Sequence, residues 1–230
     1  MRGVFYFYNM DSFIFEVLNK LVAERYVISE LTFVLPNKRA GVFLKQELAK
    51  QVNSPVFLPE IISVEDFVEE VSQLKQLNNL EALLEFYALY TSITPKQEAE
   101  AFDRFSKWAT IVLQDFNEID RHLVDPVKIF NYLSAIQEIN HWSLDPSPTK
   151  MIRGYLKFWK QVSRYYAAFS EYLLNQGLGY QGLIYKNAID NLETYLQSTK
   201  RKKHIFIGFN ALNAAESRII QALLHHQIAE

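Results

Sequence analysis

The run Leu31–Leu35, LTFVL, is apolar at every position except Thr32. Alternating polarity would mark a strand with one wet face. A continuous apolar run instead marks a strand covered on both faces, as in a parallel sheet. Pro36 ends it, because proline cannot donate to a strand ladder. Asn37, Lys38 and Arg39 then read as a polar turn, with Phe43, Leu44 and Leu48 as the buried face of the next helix. The same plan returns about 170 residues on, in His204–Leu224, HIFIGFNALNAAESRIIQALL. His204–Gly208 is the strand there, and Asn213 with Glu216 caps the helix Ala214–His226. A buried sheet of this kind expects another strand soon after, so the sequence reads as part of a longer chain.

Between these two stretches the period is helical. Before them, Gly3–Tyr8 reads as a short strand, Asn9–Ser12 as a turn with helix-capping chemistry, and Phe13–Arg25 as a helix. Phe13, Val17, Leu18 and Leu21 share one face of that helix. Val56–Leu58, between Pro55 and Pro59, is a candidate third strand. Ser63 and Asp66 start a helix that carries Phe67, Val68 and Val71. Leu80–Tyr90 is a dense apolar helix. Thr94, Pro95 and Gln97 form a capping signature for a helix with Phe102, Phe105, Ala109, Val112, Leu113 and Phe116 inward. Asp125-Pro126 opens a helix facing Phe130, Leu133 and Ile136 inward, and Asp145–Pro148 breaks the pattern. Met151–Leu174 is the longest helix, with Trp159, Val162, Tyr166, Phe169 and Leu173 along one side; Gly177 and Gly179 close it. Tyr180–Leu196 reads as one further helix. The expected architecture is therefore α/β. Residues 1–60 and 201–230 build a parallel sheet, and residues 61–200 form a large all-α insertion.

Composition narrows the function classes. At 49% hydrophobic and 14% aromatic residues the chain can bury a sizeable core. It carries 24 Lys and Arg against 26 Asp and Glu, a net charge of −2. A dedicated nucleic-acid domain is usually basic, so any nucleic-acid contact here must be local. There are no cysteines, which excludes disulfides, thiolate zinc sites and cysteine nucleophiles and suits a reducing cytoplasm. No apolar run reaches the ~18 residues of a membrane helix, and the apolar N-terminus, interrupted by Asp11, does not read as a secretory signal.

No catalytic centre is legible. A strand–turn–helix at the N-terminus is where a phosphate loop would sit, but Asn9–Ser12 has neither the glycines nor the lysine that such a loop needs. The strand at 204–208 runs into Gly208-Phe209-Asn210, and no carboxylate follows until Glu216. A magnesium-holding acid belongs at that strand end in a working ATPase. Asp115, Glu118, Asp120, Arg121 and His122 cluster in DFNEIDRH, which reads as a solvated helix end rather than a metal or acid–base site. His225 and His226 are adjacent, which is poor geometry for a shared metal. No cofactor and no metal are expected. Two basic features remain. Asn37, Lys38 and Arg39 sit between a strand end and a helix N-terminus, where ligands of open α/β sheets and phosphates bind. Lys200–Lys203, with Arg201 and Lys202 at its centre, is the densest basic run and could contact phosphate. The bland alternative for both is a soluble, solvated turn.

The order LPNKRAGVFL, PEIISVEDFVEEV, DFNEID, FWKQVSRYYAAF and FIGFNALNAAE resembles the N-terminal part of the AddB-type subunits of helicase–nucleases, in a PD-(D/E)XK nuclease group typical of Bacteroidetes. The resemblance runs from about Phe13 onward, and its motifs are specific together and weak singly. It implies a P-loop-helicase-like fold without a working ATPase and a DNA-repair or recombination role. It further implies single-stranded or duplex-end DNA and a helicase or nuclease subunit as partners, with no membrane. The nuclease site would lie outside this chain. Leu31–Leu48 takes the place of a single-strand-contacting helicase motif, so Asn37, Lys38 and Arg39 become expected DNA contacts, with Arg201 and Lys202 as secondary ones. The alternatives are a protein-interaction module without DNA affinity, and an NTPase with an unusual site.

Overall fold

A computed structural model of the chain describes residues 12–51, 57–139, 150–198 and 203–230, with backbone alone at 133–139, 150–157 and 160. In chain order the first elements are α1 (Phe13–Ala23), β1 (Leu31–Leu35), α2 (Lys38–Gln51), β2 (Glu60–Ser63), α3 (Val64–Ser72), β3 (Lys75–Gln76) and α4 (Asn79–Ile93). There follow α5 (Phe102–Arg121), α6 (Pro126–Ile139), α7 (Lys150–Asn175), β4 (Leu178–Gly179), α8 (Gln181–Asp190), α9 (Leu192–Ser198), β5 (Lys203–Phe206) and α10 (Ala214–His225). The chain is α/β and mostly helical, with small parallel sheets. It divides into two compact units. One takes the residues up to Phe67, Thr194–Ala211 and Ile220–Glu230; the other takes Val68–Glu193 and Leu212–Ile219.

The first unit is organised by β1. All five of its residues are buried, and it lies between β2 and β5, parallel to both. Thr32, the polar exception, donates its hydroxyl proton to Glu60 Oε2 at 2.9 Å, so the edge of β2 satisfies it. Phe33, Leu35, Leu44, Leu48, Leu18, Leu21, Ile205 and Ile207 form the core around this strand. Beyond β5 the chain returns after α10 and pairs again. His204 N donates to Ile228 O at 2.8 Å, and Glu230 N donates to His204 O at 2.9 Å. Residues 228–230 thus run parallel along the outer edge of β5.

Several sequence expectations shift here. Of the expected strand Val56–Leu58, Val56 lies outside the described residues and Phe57 and Leu58 are in no strand; the strand that pairs is β2 at Glu60–Ser63. Phe57 is 89% exposed and Leu58 59%, and Pro59 separates them from the strand that can pair. Phe43 and Phe13 lie on open faces, 52% and 59% exposed, while Leu44, Leu48, Leu18 and Leu21 carry the burial. The expected strand Gly3–Tyr8, most of the turn Asn9–Ser12, and the break at Asp145–Pro148 lie outside the described residues. Ser12 itself caps α1, accepting from Phe15 N at 3.2 Å.

The second unit is a helical assembly around Phe86 of α4. Its ring meets Phe105, Phe116 and Phe169 at centroid distances of 5.2, 6.0 and 5.0 Å. Edge-to-face and tilted pairs of this kind add to the area term of burial. The Thr94-Pro95 signature does not cap a helix. It makes a turn whose far end hangs on Tyr90, where Glu100 N donates to Tyr90 Oη at 2.9 Å, and α5 begins only at Phe102. Tyr180–Leu196 is two helices, not one. The Asn187 and Asn191 amides both donate to Ser72 O at 2.8 Å, and the chain turns at Asn191 between α8 and α9.

Helix α8 seats on α5 through Gly182, whose N–H donates to Asn117 Oδ1 at 2.7 Å. A Cβ there would lie 2.3 Å from the Asn117 carbonyl oxygen, and a backbone atom cannot swing aside. Gly182→Ala should therefore destabilise the fold by about 1–3 kcal/mol in urea titrations. Alanine at the exposed helix position Thr110 should change little.

Candidate functional site

The carboxyl ends of β1, β2 and β5 share one edge, because the three strands are parallel. From β1 the chain crosses to β2 on one side. From β5 it continues to residues 228–230 on the other. The crevice between the ends of β1 and β5 is thus a topological switch point, the place where open α/β sheets bind ligands. Pro36, Asn37 and Lys38 follow β1 there, and Gly208, Phe209 and Asn210 follow β5. Gly208 has φ +81° and sits against Pro36, a conformation that a side chain would strain.

Asn37 caps α2: its Oδ1 accepts from Ala40 N at 2.9 Å. The asparagine expected as a ligand contact is already committed to the helix end. Lys38 Nζ lies 3.0 Å from Asp66 Oδ1, and Ser63 donates its hydroxyl proton to Asp66 Oδ2 at 2.7 Å. Partial burial pushes the Asp66 carboxyl up. The hydrogen bonds from Ser63 and Lys38 outweigh it and hold the group below the ordinary carboxylate range. The Lys38 side chain remains 76% exposed, so the cation stays accessible. Arg39 is exposed in the next position. Phe209, half-buried beside the turn with its ring 6.1 Å from that of Phe206, completes a small basic and aromatic edge. Sequence reasoning had used Phe209 only to mark a missing acid. Arg201 and Lys202, the other expected contacts, lie outside the described residues.

The acidic stretch DFNEIDRH resolves differently from its expected reading. Glu118 is a solvated helix-end residue, paired with Arg121 and His122 at 3.0 and 3.2 Å. Asp120 is not: it is 1% exposed. Tyr166 donates its hydroxyl proton to Asp120 Oδ1, and Tyr180 donates to Oδ2 at 2.5 Å. Lys186 Nζ lies 3.2 Å from Oδ1 and donates to Tyr166 Oη at 2.9 Å. The signal in the sequence was spacing, since Asp120 follows Phe116 by four residues and so shares the buried stripe of α5. Burial, and then the Asp120 charge, push both phenols above their ordinary value. Phenols so placed stay protonated and cannot exchange protons near neutrality, as a general acid or base must. The cluster is a clamp joining α5, α7 and α8.

Among the described residues there is no group of three or more His, Asp or Glu side chains arranged to hold a metal, and no helix long and apolar enough to cross a membrane. No family model and no curated protein matches the chain.

Two outcomes follow. Asp120→Ala leaves a cation and two phenols facing an empty space, and should cost about 3–5 kcal/mol in chemical denaturation, as for other broken buried pairs. Lys186→Met, at the half-exposed end, should cost less. Asp66 is depressed in the fold, so its contribution is complete above its unfolded value of about 3.9 and is lost as pH falls through the lower folded value. Acid titrations should therefore show a steeper loss of stability in the wild type than in Asp66→Asn over that window.

Proposed function

We propose that this chain is a non-catalytic, helicase-like region of a DNA-repair helicase–nuclease, and that it touches single-stranded DNA at the carboxyl edge of its parallel sheet. The observation that carries the reading is the switch-point crevice. Its rim holds Lys38 and Arg39 and the half-buried Phe209, and no carboxylate stands in the segment that follows β5. Lys38 and Arg39 would meet the phosphate backbone. Phe209 would offer a ring for one base, as single-strand binders do. Asn37 would act indirectly, by capping α2 and fixing the turn that presents the two cations.

Asp66 is the counterweight. It holds Lys38 while the edge is empty and releases it when phosphate replaces it, so the turn is ordered before binding. The absent phosphate-loop chemistry and the Gly208-Phe209-Asn210 stretch support a role in contact and scaffolding rather than ATP turnover. The resemblance to AddB-type subunits supports the same assignment, with the nuclease site elsewhere in the parent protein.

Fluorescence anisotropy with a labelled oligothymidylate tests this. The wild type should bind at low salt, and Lys38→Ala and Arg39→Ala should each weaken binding. Each should also reduce the slope of log K against log salt by about 0.7, the contribution of one single-strand phosphate. Asp66→Asn should tighten binding. Equal affinity and slope in all four proteins would remove the turn from the interface.

A further inference from the structure

The second unit contains a cavity of about 610 Å³ between α4, α5 and the start of α8. Its size is that of a ligand pocket. The wall contains no lysine and no arginine, so an anion would find no counter-charge there. Its apolar part is Leu77, Leu83 and Leu113; its polar part includes Asn79, Gln114 and Asp115. Glu118 also lines it but already pairs with Arg121 and His122. Asp115 differs: no described residue gives it a hydrogen bond or an ion pair. Asp115 is exposed at the cavity mouth, and partial loss of water holds its carboxyl above the ordinary carboxylate range. The next residues round the same two helices, Leu80, Leu84 and Ile111, are 62%, 50% and 60% exposed. Apolar surface beside a pocket marks contact with a larger partner.

We propose that this cavity receives an arginine side chain from an amphipathic helix of a protein partner, with Asp115 as the counter-ion. The chemistry selects that side chain. An apolar stem lies along Leu77, Leu83 and Leu113, and a planar guanidinium places parallel N–H donors on a carboxylate. Its remaining donors meet the side-chain oxygens of Gln114 and Asn79. A lysine ammonium is a compact, strongly hydrated charge that uses such a spread of acceptors poorly. Leucines on the same face of the partner helix cover Leu80, Leu84 and Ile111. This surface belongs to the second unit and does not depend on DNA contact at the sheet edge.

The test is a backbone amide NMR titration of the full chain with a capped helical peptide carrying one arginine and leucines at i, i+4 spacing. The amides of Leu83, Gln114 and Asp115 should shift saturably. Replacing the arginine by citrulline, which keeps the shape and removes the charge, should raise Kd by about tenfold, equivalent to ~1.4 kcal/mol. Asp115→Asn should cause a similar loss with the native peptide and none beyond it with the citrulline peptide, since the two changes remove one interaction. Gln114→Arg, which fills the cavity from within, should abolish the shifts. Equal binding of the arginine and citrulline peptides overturns the proposal even if the variants fail to fold. So does an absence of shifts at these amides. Acetyl-arginine amide binding as tightly as the peptide would also overturn it, by making the occupant a free small cation rather than a partner helix.

Discussion

The pairing of β1 on both edges and its burial on both faces is the constraint on which the first unit rests. A central strand of five buried residues leaves its backbone groups without water, so each edge must supply ladder partners. The chain meets this demand from two distant places, β2 some 28 residues away and β5 some 172 residues away. The long excursion between them is what the second unit fills. Because every pairing is parallel, the segments that follow the strands collect at one edge, and the return of residues 228–230 on the far side of β5 makes that edge a switch point. The candidate site is thus a consequence of how LTFVL is covered, not an addition to it.

The two units carry opposite chemistry. The sheet edge presents Lys38 and Arg39 with one restraining carboxylate. The helical cavity presents amides and carboxylates with no cation in its wall. This explains how a chain with a net charge of −2 can still offer a local basic contact. Screening at physiological salt has a range of about 8 Å, so an exposed pair such as Lys38 and Arg39 acts on what lies directly against it. Distant acids weigh little. The buried Asp120 cluster borders the helical cavity through Tyr180. Its phenols are held protonated and its one cation is already paired, so its chemistry is spent on joining three helices.

What was legible in the sequence follows the strength of the local signal. β1, the cap of α10 by Asn213 and Glu216, and the Ser63–Asp66 start of α3 were readable because each rests on neighbours in sequence. Reciprocal bonds from Asn213 N to Glu216 Oε2 at 2.9 Å and from Glu216 N to Asn213 Oδ1 at 2.8 Å make that cap. β2 was misplaced because hydrophobicity favoured Phe57-Leu58 over Glu60–Ser63. An edge strand needs ladder partners more than apolar side chains, and Glu60 is there to satisfy Thr32. The break at Asn191 and the turn at Pro95 were hidden for a different reason. The first is fixed by bonds to Ser72, more than a hundred residues away in the chain; the second by a side-chain bond from Glu100 N back to Tyr90 Oη that no capping pattern announces. Asp120 was hidden by composition. In DFNEIDRH it looks like its solvated neighbours, and only its register with Phe116 sets it inside. For the site, Asn37 was legible as a polar break after a buried strand, but Lys38 and Arg39, expected in the same turn, are the first two residues of α2, because the Asn37 cap starts the helix one residue later. The crevice was not legible, because that depends on which strand lies beside β1.

The central claim is that the carboxyl edge of the sheet, and not the helical unit, meets single-stranded DNA. Chemical-shift mapping of backbone amides with unlabelled oligothymidylate tests it most directly, since it locates contact without altering any residue. The account predicts salt-sensitive shifts at Lys38, Arg39, Ala40, Gly208, Phe209 and Asn210, with the amides of α4 and α5 unmoved. Shifts confined to α4 and α5, or none at the sheet edge at low salt, would contradict it.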